Sequence, residues 1–335
     1  MQGSKPSGGR RWRDSNAVVA LLVGLAVVVA VVVAALLVTA PGAGGSAGKQ
    51  AGPAALAGSE PAGVLTASAT GRPPAAAART LPAPVRCRSC WRPRLQESWQ
   101  IELSATPGPP YLRVRMIDLD GFDTPAATVA ALHRSLPGRG VVCYIDAGTW
   151  ENWRPDAGRF PRALLGRSDG WPGERWLDIA GYQGALAAIM RARVRMCKAK
   201  GFNAVDFDNV DGYANRTGFP LTAGDQLRYD AFLANLAHQF GLSAALKNDE
   251  EQIPVLLGYF DFAIDEQCFQ YAECTTAQNG GYGLDEFTRA GKAVFDIEYD
   301  LKLSQFCPAA KRDRFNALRK HPSVGAWRQA CPASG

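Results

Sequence analysis

From Trp91 to Cys331, short apolar runs alternate with longer amphipathic stretches. The runs read as strands, rich in β-branched and aromatic residues and bounded by turn residues. They are "YLRVRMIDLD" (111–120), "GVVCYIDAG" (140–148), "RWLDI" (175–179), "AVDFDNV" (204–210), "LSAALKN" (242–248), "FDFAIDEQ" (260–267), "AVFDIEY" (293–299) and "SVGAW" (323–327). The stretches between them have helical spacing. "YQGALAAIMRARVRMCKAKG" ends at Gly201 and "TAGDQLRYDAFLANLAHQFG" at Gly241, both glycines in position to close a helix. Eight strands alternating with helices over about 240 residues predict an α/β fold of (β/α)8 TIM-barrel type. The competing open, doubly wound sheet is disfavoured, because no Gly-rich phosphate loop follows the first strand.

Upstream the pattern changes. Ala17 to Val38 is an uninterrupted uncharged run, "AVVALLVGLAVVVAVVVAALLV", preceded by Arg10, Arg11 and Arg13. At about 1.5 Å per residue such a helix spans a hydrocarbon core of about 30 Å. The basic flank would keep the N-terminus cytoplasmic and export the remainder. The run is therefore a transmembrane anchor, or a signal sequence cleaved near "VTA" (38–40). Residues 1–16 form a basic cytoplasmic segment. Residues 39–86, almost wholly Ala, Gly, Pro and Ser, read as a disordered linker. Residues 87–335 are the folded domain, placed on the extracellular side, anchored or secreted.

Composition refines this. The formal net charge of +6 is carried by the N-terminal segment, where eight Lys/Arg and two acids precede residue 87. That leaves 29 basic and 29 acidic residues in the domain, so no nucleic-acid footprint is expected. Eight cysteines in an exported chain point to disulfides. Cys268 with Cys274 and Cys307 with Cys331 bracket short segments. Cys87 with Cys90 and Cys143 with Cys197 are conjectured partners. Zinc is not expected, since His133, His238 and His321 are scattered and Cys87-x-x-Cys90 has no second half. No cofactor is expected, and the domain should be a monomer.

Acids recur at the predicted strand ends: Asp118 and Asp120, Asp146, Asp178, Asp206 and Asp208, Asp265 and Glu266, Asp296 and Glu298, with Lys247 and Asn248 ending another strand. In a barrel those ends form the active face. Period-two alternation turns Val205 and Phe207 outward, and Asp206 and Asp208 into the mouth. A calcium loop beginning at Asp206 fails, with Val210, Asp211 and Thr217 at the positions that need an oxygen ligand, Gly and Glu. No G-x-S-x-G elbow is present. Rim carboxylates from the fourth and sixth strands, Asp208 and Glu266, would instead face each other across a glycosidic bond. Tyr144, Trp150, Trp153, Tyr213, Phe269, Tyr271 and Tyr299 fall near the same ends and offer rings for sugar stacking. No basic residue lies beside Glu266 in sequence, so it is expected to be the protonated acid. Asp208, beside Asn209, is expected to be the ionised nucleophile of a retaining reaction. A non-catalytic polysaccharide-binding module and a metal-dependent hydrolase remain the alternatives.

The motifs "CYIDAGTWENWRPD", "GWPGERWLDI", "GFNAVDFDNVDGY", "GFPLT", "LKND", "FDFAIDEQCFQYAEC" and "GKAVFDIEY" occur in order. Together they resemble glycoside hydrolase family 114, the endo-α-1,4-polygalactosaminidases, from about Trp91 to the C-terminus. The resemblance implies a TIM barrel that hydrolyses α-1,4-linked galactosamine-containing polysaccharide without a metal, its catalytic pair falling on Asp208 and Glu266. Phe207 stands where the family more often has Pro, and Glu also occurs there at the position of Asp206. Deacetylated units are cationic, so the substrate-binding residues expected are Asp118, Tyr144, Asp146, Trp150, Asp206, Asp211, Tyr213, Lys247, Asn248, Asp265, Glu298 and Tyr299.

Overall fold

The computed structural model describes residues 81–332. The stretch 17–38 and the spacer up to residue 80 lie outside them. Among the described residues no helix is long and apolar enough to cross a membrane.

Eight parallel strands form a curled, TIM-barrel-like sheet: β1 (Trp99–Glu102), β2 (Met116–Asp120), β3 (Gly140–Asp146), β6 (Ala204–Asp208), β7 (Ser243–Lys247), β8 (Phe262–Glu266), β9 (Val294–Glu298) and β10 (Asn316–Arg319). A short β11 (Gln329–Ala330) pairs antiparallel with β10. The seam between β10 and β1 is closed by other means. Leu103 N–H donates to Val324 O at 2.8 Å, Trp99 Nε1 to Asn316 O at 2.6 Å, and Lys320 Nζ to Ile101 O at 2.7 Å.

Two expected strands are corrected. Of "RWLDI" only Arg175 and Trp176 lie in a strand, β5 (Glu174–Trp176), which pairs antiparallel with β4 (Thr149–Glu151) in a separate two-stranded sheet. This sheet sits in the long connection after β3. "SVGAW" forms no strand; Val324 bonds Leu103 as part of the seam. The missed strands are β1 and β10, four residues each, and each mixes apolar with polar side chains. The two errors compensate, so β6 remains fourth and β8 sixth around the ring.

Helices α1 (Ala126–Ser135), α2 (Ala185–Lys200), α3 (Ala223–Gln239), α4 (Ile253–Leu256), α5 (Cys268–Tyr271), α6 (Asp285–Arg289) and α7 (Leu303–Asp313) connect the strands. Thr222 and Asp225 make a reciprocal capping box at the start of α3, satisfying N–H groups that the first turn leaves free. Gly201 closes α2 at φ 91°, a left-handed conformation that costs other residues a steric clash.

Side-chain alternation divides the apolar residues into two layers. Ile117, Leu119, Val141, Ile145, Val205, Phe207, Leu246 and Ala263 face the helices. Trp99, Met116, Val142, Phe262, Ile264, Phe295 and Ile297 fill the barrel interior. Trp99 and Phe262 ring centroids lie 5.1 and 5.9 Å from Phe295, making an aromatic floor. Each such buried side chain contributes about 1.5–3 kcal/mol.

The four disulfides join Cys87–Cys90, Cys143–Cys197, Cys268–Cys274 and Cys307–Cys331, the pairs anticipated from sequence. Cys143–Cys197 fixes α2 to the outer face of β3. One expected boundary shifts. Residues 81–86, read as linker, dock on the domain: Tyr259 OH donates to Pro82 O at 2.5 Å, and Val85 N–H to Asn235 Oδ1 at 2.6 Å.

Candidate active site

Above the aromatic floor the barrel interior turns polar. On β6, Val205 and Phe207 belong to the helix-facing layer, so Asp206 and Asp208 point inward, Asp206 one layer deeper. Lys247 follows Ala245 on the inner face of β7, and Glu266 follows Ile264 on that of β8. Tyr144 and Asp146 follow Val142 on β3.

These side chains meet at one ammonium. Lys247 Nζ lies 3.1 Å from Asp208 Oδ1 and 3.6 Å from Glu266 Oε1. Tyr144 OH donates to Asp208 Oδ2 at 2.5 Å, and Tyr299 OH to Glu266 Oε1 at 2.8 Å. The Asn209 N–H donates to Asp208 Oδ1 at 2.8 Å. Each carboxylate therefore has one tyrosine of its own and shares one lysine.

The backbone is equally constrained. Asn209, Asn248, Asp249 and Gln267, just past the ends of β6, β7 and β8, all have positive φ between 51° and 68°. Such conformations persist in non-glycine residues only where the surroundings hold them. Asn248 Oδ1 accepts the Glu266 N–H at 3.2 Å, tying the end of β7 to the general-acid candidate on β8. Ala147 and Gly148 donate N–H groups to Asp208 O at 3.0 and 3.1 Å. A Cβ on Gly148 would stand 1.6 Å from Asn209 O, so only glycine permits this approach.

Electrostatics separates the carboxyls. Burial pushes Asp208 up, but the Lys247 ammonium, the Tyr144 hydroxyl and the Asn209 N–H outweigh it, and the group sits below its ordinary value. Burial lowers Lys247, yet Asp208, Glu266 and Asp206 hold it well above its ordinary value. Asp146 is pushed up to about 8 by burial, then by Glu151 and Asp208. It accepts the Thr149 N–H at 2.7 Å and the Asn209 amide at 2.8 Å. Arg193 of α2, itself buried, donates to Asp146 O at 2.7 Å and braces the end of β3.

The expected substrate-binding residues divide. Tyr144, Asp146, Asp206, Lys247, Asn248 and Tyr299 gather around Asp208 and Glu266. Asp211 stays at the rim, half-buried, its Oδ2 accepting from Asn215 Nδ2 at 3.0 Å. Tyr213 turns to the neighbouring loop, where its hydroxyl donates to Glu251 Oε2 at 3.2 Å. Trp150 donates Nε1–H to Ala157 O at 3.1 Å and packs against the helix-side core.

Four assignments are corrected outright. Asp118 and Asp206 point inward but are 0% exposed beneath the mouth, so neither can line a solvent-facing rim. Asp265 and Glu298 face outward, because Ala263 and Val294 on the same strand faces pack against the helices. Glu298 Oε1 accepts the N–H groups of Phe269 and Gln270, capping the turn after β8. The expectation that no cation approaches Glu266 also fails, since Lys247 arrives from β7.

Sequence reading did not single out Thr149, Glu174 or Arg193. Thr149 donates Oγ1–H to Asp146 Oδ2 at 2.5 Å, and Glu174 lies within 3.2 Å of the same hydroxyl. Only the acidic residue Glu174, in the motif "GWPGERW", offered a signal. Outside the barrel, ligand atoms of Asp265, Asp296 and Cys268 lie within 4.8 Å of one another. Cys268 is bonded to Cys274, so its sulfur is not a thiolate ligand and two carboxylates are left.

The fold has counterparts among known proteins. The structure of Aspergillus fumigatus Ega3 in complex with galactosamine is similar, at 36% identity and a TM-score of 0.65, covering 72% of this chain and 97% of that one. The glycoside hydrolase domain of PelA from Pseudomonas aeruginosa shares the fold at 14% identity and a TM-score of 0.51, covering 70% and 98%. An uncharacterized protein of Deinococcus radiodurans is 27% identical over 249 residues, 68% of this chain and 78% of its own. The sequence profile of glycoside-hydrolase family GH114 matches residues 81–334, which takes in every strand of the barrel and both carboxylates at its mouth. The chain belongs to glycoside-hydrolase family GH114.

Proposed function

We propose that this glycoside hydrolase acts outside the cell on α-1,4-linked galactosamine-containing polysaccharide, by a retaining mechanism that uses Asp208 and Glu266. One observation carries the mechanism: both carboxylates contact the same Lys247 ammonium. Their oxygens are then separated by no more than the sum of those two distances. That bound on one pair of oxygens admits the spacing of about 5–5.5 Å at which one carboxylate attacks directly.

In the first step an oxygen of Asp208 bonds to the anomeric carbon while Glu266 gives its proton to the departing glycosidic oxygen. In the second, Glu266 takes a proton from water, whose oxygen replaces Asp208 at the same carbon. Lys247, Tyr144 and Asn209 keep Asp208 ionised for the attack. Tyr299 orients Glu266.

The substrate assignment rests on the likeness to Ega3, whose structure holds galactosamine. It is supported by the acids Asp208 and Asp211 at the mouth, which favour a cationic sugar. Four disulfides fit an oxidising compartment. The apolar run 17–38 with its basic flank supports a membrane tether.

The test is release of reducing ends from partially deacetylated α-1,4-galactosaminan, with proton NMR of the first-formed anomer. An α-anomeric product supports the scheme, and an initial β product replaces it with inversion. No release from any galactosaminan would remove the substrate assignment.

A further inference from the structure

Asp118 and Asp206 have no role in the chemistry above, yet both are 0% exposed inside the barrel. Asp118 follows Met116 on the inner face of β2, and Asp206 follows Ala204 on that of β6, with β3 between them. Curling of the sheet turns these inward side chains toward each other. None of the four carboxyl oxygens accepts a hydrogen bond of ordinary geometry from an N–H or hydroxyl donor. What each carboxyl has is the other one. Two carboxyls in contact form a hydrogen bond only if one carries a proton.

The charges around them make that proton necessary. Asp118, Asp206, Asp208 and Glu266 all act on Lys247 or are acted on by it. Four ionised carboxylates around one ammonium would leave a large uncompensated charge, two of them, Asp118 and Asp206, wholly shut off from water. Asp208 holds its charge through three donors, and Glu266 needs its proton for the leaving group. The remaining proton therefore belongs to the lower layer.

We propose that Asp118 and Asp206 share a single proton, Asp118 O–H donating to the Asp206 carboxylate, and thereby hold the Lys247 ammonium up against Asp208 and Glu266. They are positioning residues, acting through Lys247, and the proposal rests on the hydrolytic reading above. When the shared proton is lost to solvent base, two negative charges lie beneath Lys247 and compete for it. The ammonium is drawn down, and Asp208 and Glu266 lose the cation between them. Other groups facing this cluster are Tyr144 and Asp146 from β3, Tyr299 beyond β9, and the Leu119 backbone N–H beside Asp118. Burial, the first cause for both acids, favours the protonated pair at neutral pH.

The experiment is the pH profile of kcat/KM for wild type, Asp118→Asn and Asp206→Asn. An amide keeps a donor in the pair but cannot lose it. The alkaline limb should move up by at least about one unit, raising the ratio of alkaline to acidic kcat/KM about tenfold or more. Profiles that superimpose on wild type, or limbs that move down, would overturn the proposal. Difference infrared spectroscopy of full-length Glu266→Gln removes the general acid's own carboxyl from the spectrum. A protonated-carboxyl band should still disappear there with rising pH, near the midpoint of the wild-type alkaline limb, and be lost in Glu266→Gln combined with Asp118→Asn; no such band titrating also overturns the proposal. If the wild type releases no reducing ends, the hydrolytic reading has failed. The infrared titration then tests the shared proton by itself.

Discussion

Lys247 Nζ stands 3.1 Å from Asp208 Oδ1, the lysine buried and the aspartate half-buried at the barrel mouth, making this ion pair the electrostatic centre of the site. Removing one partner of a buried pair leaves an uncompensated charge. Lys247→Met should therefore raise the acidic limb of kcat/KM, because Asp208 loses the strongest of the groups that offset its burial. It should lower the rate at neutral pH by about 10²-fold or more. A profile with the wild-type acidic limb would show that Lys247 does not control Asp208.

Asp208→Asn and Glu266→Gln are each expected to abolish hydrolysis with little change in side-chain volume. Under the retaining scheme, exogenous azide should restore turnover to both Asp208→Ala and Glu266→Ala, giving the β-glycosyl azide from the first and the α-glycosyl azide from the second. Near wild-type turnover in either isosteric variant would remove that residue from the pair.

The tyrosines should separate the two carboxylates. Tyr144→Phe deletes a donor to a charged acceptor, worth about 1.5–3 kcal/mol, so kcat/KM should fall about ten- to a hundredfold with its acidic limb raised. Tyr299→Phe touches Glu266 and should leave the part of the profile set by Asp208 in place. Identical shifts in both variants would contradict the division of roles.

Folding stability should decline as the solution becomes alkaline. Asp206 and Glu298 are pushed up to about 7 and Asp146 to about 8, burial being the first cause in each. Their unfolded values lie near 4. A carboxyl raised on folding contributes stability present below its unfolded value and lost as pH rises through its folded value. The melting midpoint should thus fall between about pH 5 and pH 8. Asp208 and Asp261, both depressed, act oppositely and lose their contribution as pH drops below about 4. A midpoint that climbs steadily from pH 5 to pH 8 would contradict this assignment.

A chain beginning at residue 81 should be more stable than one beginning at 87. The shorter form loses the hydrogen bonds of Pro82 and Val85 and the packing of Leu81 against the core. Each hydrogen bond contributes about 1 kcal/mol. Equal melting temperatures would return residues 81–86 to the linker.

Much of the fold was legible because its signals are local. Apolar runs long enough to show alternation marked β2, β3, β6, β7, β8 and β9, and Gly201 marked the end of α2. Period two alone sent Asp206 and Asp208 to the same face. β1 and β10 escaped notice because four residues cannot display a period, and their pairing is decided by the strands beside them. "RWLDI" misled because burial under a loop produces the same apolar run as burial in a sheet.

Sequence by itself determined which residues carry charge and which strand ends they occupy, since composition and two-residue alternation are properties of neighbours along the chain. Tertiary structure decided which charges meet. The same alternation that turns Glu266 inward turns Asp265 outward, yet which face was inner depended on Ala263 and Val294 packing against helices far along the chain. Lys247 reaches Glu266 only because curling brings adjacent strands' inner side chains onto a common axis. Asp118 is beneath the mouth because inward side chains at different heights form separate layers. Contacts between strands, dictated by register and curvature, are what gather a row of acids around the single Lys247 ammonium.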